Sequence, residues 1–152
     1  MSEGALSKFQ CQLSPLPNLD ELASQWQALE KESSASFFCC WSWVGSWLQQ
    51  LPEPFSVQLL TITDNDQVVA LACIAVKHNH YYLNQTGSAE LDALFIEHNM
   101  LLVRREVELS AVQAALSFFL LERPEGGKLI LSGIDRTAIP AGLLDDKFHV
   151  ES

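Results

Sequence analysis

The chain has 152 residues, 48% of them apolar, and a formal net charge of −10. That length and apolar content fit one ordinary domain, residues 1–152, with a packed core, and they argue against a chain disordered throughout. The charge speaks against unspecific nucleic-acid binding and against an anionic membrane surface: phosphate contacts need clustered Lys and Arg, and the local pair Arg104–Arg105 is followed at once by Glu106 and Glu108.

In chain order, residues 9–13 alternate weakly and read as a first strand, broken by Ser14-Pro15-Leu16-Pro17. Asn18 is placed to cap a helix, with Glu21 three residues on in the capping-box position. Leu19, Leu22, Ala23, Trp26 and Leu29 recur at helical spacing and make one apolar face. After the polar break at residues 33–36, a second helix is expected over 37–51, with Phe37, Trp41, Val44, Leu48 and Leu51 on one stripe and Trp43 and Trp47 on another face.

Strands follow at 56–63 and 68–76, joined by the turn Asp64-Asn65-Asp66-Gln67. A further turn at 77–80 leads to a strand at 81–84. Residues 85–92 read as a loop and 93–96 as a short strand. The clearest helix is 107–121, with Leu109, Val112, Leu116, Phe119 and Leu120 inward, stopped by Pro124-Glu125-Gly126-Gly127. A buried strand at 128–132, a short helix at 137–144 and a strand beginning at 148 complete the order β-α-α-β-β-β-β-α-β-α-β.

No apolar run reaches the ~18 residues of a membrane span, and residues 1–8 lack a secretory signal, so a cytoplasmic location with no membrane partner is expected. Cys11, Cys39, Cys40 and Cys73 form no C-x-x-C pair and read as small buried hydrophobes without metal. His78-Asn79-His80 reads as a hairpin tip rather than a nuclease motif.

The element order, two helices after the first strand and a strand meander before a long helix, resembles the GNAT acyltransferase fold, a mixed and mostly antiparallel α+β sheet flanked by helices. Residues 34–48 (SASFFCCWSWVGSWL), 83–87 (LNQTG) and 91–99 (LDALFIEHN) resemble the N-terminal lobe of two-lobed, Fem-like proteins described as cellulose-biosynthesis-type acetyltransferases. The resemblance implies an acyl-CoA-dependent N-acyltransferase, continuing past Ser152 into a second GNAT-like lobe. It places the acyl-CoA pyrophosphate at the start of the long helix, in a glycine-bearing loop. Residues 104–109 (RREVEL) have arginines there but no glycine, and two carboxylates. The expectation is therefore an acceptor-side lobe that holds no acyl-CoA tightly, with acetyl-CoA or another acyl-CoA bound through the second lobe. The alternative is a non-catalytic interaction or oligomerisation module, with a second lobe or a homo-oligomer as partner.

Glu97-His98-Asn99 gathers two groups able to serve as general acid or base, and an amide, at a strand end. Transfer to an amine needs a base to take the ammonium proton, which points to Glu97 and His98 as catalytic candidates, with Asn99 beside them for substrate. A polar strand end satisfying backbone groups is the other reading. Trp43 and Trp47 are candidates for lining an acceptor cleft, or for packing. Asn84 is a candidate to hold substrate by its amide, or to cap a turn.

Overall fold

The computed structural model describes residues 9–34, 36–51, 57–85, 100–122, 127–132 and 148–151. β1 (Phe9–Pro15) leads into α1 (Leu19–Glu30), and Asn18 caps it as expected, its Oδ1 accepting the Glu21 N–H at 2.8 Å. Leu22, Trp26 and Leu29 form the buried face of α1.

The second helix differs from its expected 37–51 span. Phe37–Cys39 is a single 3₁₀ turn, Cys40 is extended (ψ 156°), and α2 runs Trp41–Gln50. The reason is a cap supplied from another helix: Glu30 Oε1, at the end of α1, accepts the Trp41 N–H at 2.8 Å and fixes where α2 starts. Phe37 thereby leaves the α2 stripe and is 58% exposed.

β2 (Val57–Asp64) and β3 (Gln67–Lys77) form an antiparallel hairpin, and β4 (His80–Leu83) folds back on β3. Both turns are tight two-residue tips. Asn65 and Asp66 have φ of 52° and 67°, and His78 and Asn79 have 51° and 68°. Two successive positive φ values match the right-handed twist of a hairpin, and Asn and Asp tolerate them best among non-glycine residues. The His78-Asn79-His80 string is thus a hairpin tip.

β5 (Leu102–Val103) was not expected from the sequence. It too pairs with β3, opposite Leu71 and Ala70. Continuing the β4 register along β3 would put positions 86 and 87 there, so the register moves on by 16 residues between β4 and β5. An even number keeps side-chain alternation intact, so Leu102 faces one core and Val103 the other. The expected strand at 93–96 and helix at 137–144 lie outside the described residues.

A 3₁₀ turn (Arg105–Val107) opens α3 (Glu108–Glu122), which returns the chain to β6 (Leu129–Ser132), parallel to β4. β7 (Phe148–Glu151) lies parallel to β6. The mixed, mostly antiparallel sheet has the order β1-β2-β3-β4-β6-β7, with β5 beside β3. Helices cover both faces. Ala111, Val112, Ala115, Leu116 and Phe119 of α3 pack on Leu60, Ile62, Ala72 and Ile74. Leu22, Trp26, Leu29 and Val44 of α1 and α2 pack on Leu59, Leu71, Cys73 and Leu102.

The Trp41 side chain lies over Gly45, one turn further along α2, and leaves it no room for a side chain: a Cβ there would sit 2.6 Å from the Trp41 ring. Gly45→Ala should therefore lower stability by about 1–3 kcal/mol, the range for overpacking, although helix propensity alone favours Ala by about 1 kcal/mol. Denaturant unfolding of the variant checks the sign.

Candidate functional site

The candidates from the sequence fall into three groups. Glu97, His98 and Asn99 lie outside the described residues. Trp43 and Trp47 stand on α2, both partly buried and both packed against the α1–α2 core. Trp43 meets Phe38 and Phe37 edge-on, with ring centroids 4.9 Å and 5.8 Å away, and the two phenylalanines are 5.7 Å apart. This aromatic cluster sits where the 3₁₀ turn meets α2 and can offer a stacking surface.

Asn84 is different. It is 5% exposed, has φ 53°, and directly follows β4. Its backbone N–H donates to the Cys73 carbonyl at 2.7 Å, while its Oδ1 accepts the Cys73 N–H at 2.9 Å. Its Nδ2 donates to the Met100 carbonyl at 3.0 Å. The side chain thus joins Cys73 of β3 to Met100, shortly before β5. The same Met100 carbonyl accepts the Cys39 thiol at 3.2 Å, and the Cys39 carbonyl accepts the Trp26 indole N–H at 2.7 Å. A buried polar chain therefore runs from α1 through the 3₁₀ turn to β3. The sequence signal for it was a lone Asn before a polar loop, which does not distinguish a backbone bridge from a substrate amide.

At the start of α3, where an anion cradle would need open N–H groups, the backbone is already engaged. Arg104 N–H donates to the Val69 carbonyl at 2.9 Å and Arg105 N–H to the Glu32 carbonyl at 3.1 Å. Val107 N–H donates to the Arg104 carbonyl at 3.2 Å. Val69 is the residue skipped where the β2–β3 register shifts, which leaves its carbonyl for Arg104. The guanidinium of Arg105 bonds the Ser33 carbonyl, and that of Arg104 lies 3.4 Å from Glu32 and 3.8 Å from Glu106. These residues join the end of α1 to the start of α3.

One geometric feature of the sheet bears on ligands. β6 pairs with β4 only through Tyr81–Leu129 and Tyr82–Ile130, fastened at its start by Tyr81 N–H to the Lys128 carbonyl at 2.8 Å and Lys128 N–H to His80 Nδ1 at 2.9 Å. Beyond Ile130, β6 follows β7, while the next strand residues beside β3 belong to β5. Among the described residues no pairing joins β5 to β6, and the pairing of β4 with β6 ends at Tyr82–Ile130.

The cysteines are free thiols, Cys39 and Cys73 buried and Cys11 and Cys40 partly so. Burial pushes the Cys73 thiol from the ordinary 9.0 up to about 12 and that of Cys11 up to about 11. Burial also raises Cys39, and raises Cys40 with help from the nearby Glu30 carboxylate. Among the described residues no group of three or more His, Cys, Asp or Glu is placed to hold a metal ion, and no helix is long and apolar enough to cross a membrane.

No protein-family model matches the chain, and no curated protein matches its sequence. Its fold is similar to the crystal structure of the ribosomal-protein-S18-alanine N-acetyltransferase from Escherichia coli, with 18% identity and a TM-score of 0.41. The match covers 74% of this chain and 58% of that one, so the chain spans little more than half the length of that structure.

Two outcomes follow from these contacts. Asn84→Ala strands the buried Cys73 N–H, at about 1–3 kcal/mol, and leaves the Met100 carbonyl with the Cys39 thiol as its remaining donor; the loss should be read as a lower chemical-denaturation midpoint with an unchanged slope. The raised thiols favour the folded state while neutral. Their contribution is complete below pH 9.0 and is lost as pH rises towards about 12, through the folded values of Cys11 and Cys73. The melting temperature should accordingly fall above pH 9, and Cys73 should resist thiol reagents until the protein unfolds.

Proposed function

We propose that this chain is the acceptor-side lobe of a GNAT-type, acyl-CoA-dependent N-acyltransferase, with the acyl donor held by a second lobe. The supporting observation is that the parallel pairing of β4 with β6 ends at Tyr82 and Ile130, where strands can diverge, with α3 between them among the described residues. In open sheets with parallel strands, ligands are taken up at such a divergence beyond the carboxyl ends, where backbone groups lack strand partners. The element order up to α3 is the one that the sequence resemblance implies.

In this reading the aromatic cluster around Trp43, with Trp47 beside it, lines the acceptor side. Glu97 and His98 supply the base that takes the ammonium proton, and Asn99 orients the acceptor. Asn99 directly precedes Met100, whose carbonyl is anchored by Asn84, so Asn84 positions the chain that carries these groups. Its substrate contact, if it makes one, is secondary to that bridge.

The engaged backbone at Arg104 and Arg105 favours a second reading, a non-catalytic module that keeps the fold. Two measurements separate them. Calorimetry of this chain with acetyl-CoA should show no tight binding; a micromolar dissociation constant would overturn the assignment of the donor to another lobe. In the two-lobed protein, His98→Ala should lower turnover about a hundredfold or more while leaving the melting temperature unchanged. A destabilised variant with unchanged turnover per folded molecule would leave the non-catalytic reading standing.

A further inference from the structure

We propose that His80 is a pH-operated latch: its neutral ring fastens β6 to β4, and gaining a proton releases it. β6 is held to β4 by two residue pairs, Tyr81–Leu129 and Tyr82–Ile130, and β7 pairs with β6. Among the described residues, β6 and β7 are therefore attached within the sheet through this one short contact. In so short a ladder each further hydrogen bond counts. Two stand at its entry, both on Lys128: its carbonyl accepts the Tyr81 N–H at 2.8 Å, and its own N–H donates to His80 Nδ1 at 2.9 Å.

The first of these bonds is indifferent to protonation and the second is not. A neutral imidazole carries hydrogen on one nitrogen only, so accepting at Nδ1 places that hydrogen on Nε2. Turning the ring over would set a carbon against the Lys128 N–H. An imidazolium carries hydrogen on both nitrogens and accepts nothing, so protonation would set two N–H groups against each other. Histidine is the side chain that ordinarily makes this change within the physiological range. The sign follows directly: the fastening is present while the ring is neutral and is lost as pH falls.

The surroundings hold the ring in place without offering it a substitute acceptor. The tight tip at His78-Asn79 makes His80 the first residue of β4, half-buried and directly across from Lys77 of β3. His78 in the tip, Lys77 and the Lys128 side chain are the basic groups around it, and β3, β4 and β6 contain no carboxylate. Tyr82, two residues on and so on the same strand face as His80, packs on the cluster built by α1 and α2. α2 carries no charged side chain. On α1, Asp20 and Glu21 are exposed and Glu30 caps α2. The latch concerns the sheet itself and holds whether or not the chain takes part in acyl transfer.

Amide exchange followed by NMR, with the intrinsic pH dependence of exchange divided out, tests this on the unaltered chain. Protection of the Lys128 amide and of the β6 amides should fall about two- to tenfold between about pH 7.5 and about pH 5, the worth of one net hydrogen bond. Protection in β2 and β3 should not change. In His80→Ala the β6 amides should sit at the lower level at both pH values. His78→Asn alters the other imidazole of the turn and keeps a residue that tolerates positive φ, so it should behave as the unaltered chain does. The ¹⁵N signal of His80 Nδ1 in the unaltered chain gives a reading that no variant can spoil: it should be that of a bare, hydrogen-bonded nitrogen at neutral pH and lose that character on acidification. Protection in β6 that ignores pH overturns the proposal. So does a pH dependence that survives His80→Ala or vanishes in His78→Asn, and so does a hydrogen on Nδ1 at neutral pH.

Discussion

β3 is the strand around which the protein is organised, and its demand for backbone partners governs much else. From Val69 to Ala75 every residue is buried, so neither side chains nor backbone can fall back on water. An unpaired peptide group inside such a strand costs as much as a lost hydrogen bond with nothing in return. β2 satisfies one side along its length. The other side is served by a strand interrupted midway, and the gap at Cys73 is closed by the amide of Asn84. Asn suits this position twice over: its amide offers a donor and an acceptor much as a peptide does, and it tolerates the left-handed φ that turns the chain away. One side chain thereby completes the ladder on β3 between β4 and β5.

Much of this architecture was legible in the sequence, and the reasons are local. Asn18 before a run of residues at helical spacing marks the start of α1, and Asn65-Asp66 and His78-Asn79 mark two hairpin tips. In each case the deciding interactions lie within a few residues. The failures are places where the deciding partner is distant. The start of α2 is set by Glu30 of another helix, which no stripe analysis of 37–51 can reveal. β5 has two residues, too few for any alternation, and exists because β3 needs a partner there. Its counterpart in the sequence reading, 93–96, had the apolar content of a strand but lies outside the described residues. For the candidate site the same rule holds. Trp43 and Trp47 could be picked out as aromatics off the main stripe, yet both still pack on the α1–α2 core, because a two-layer contact takes in more than one stripe of a short helix.

Arg104 and Arg105 show how a pattern of residues and its geometry can point in different directions. As a sequence, two arginines before a long helix suggest anion capture, since a helix start already favours negative charge. In the structure, the carbonyl groups of Val69, Glu32 and Ser33 take the polar hydrogens of this pair. The ion pairs to Glu32 and Glu106 are largely exposed on the acidic side and contribute little by themselves. The backbone bonds matter more, because they join the end of α1, on one face of the sheet, to the start of α3, which covers the other.

That junction constrains what the start of α3 can do chemically. A peptide N–H donates one good hydrogen bond, and the donors of Arg104 and Arg105 are spent on holding the fold. Freeing them for a phosphate would detach the α1–α3 junction and strand the Val69 carbonyl beside a buried strand, a cost set against the gain of binding. Glu106 and Glu108 at the helix start further oppose an arriving anion, while themselves interacting favourably with the helix dipole. The carboxyl end of β4 is bound into the fold as well, since Asn84 directly after it holds Cys73 and Met100, so ligand chemistry there has to leave that bridge in place.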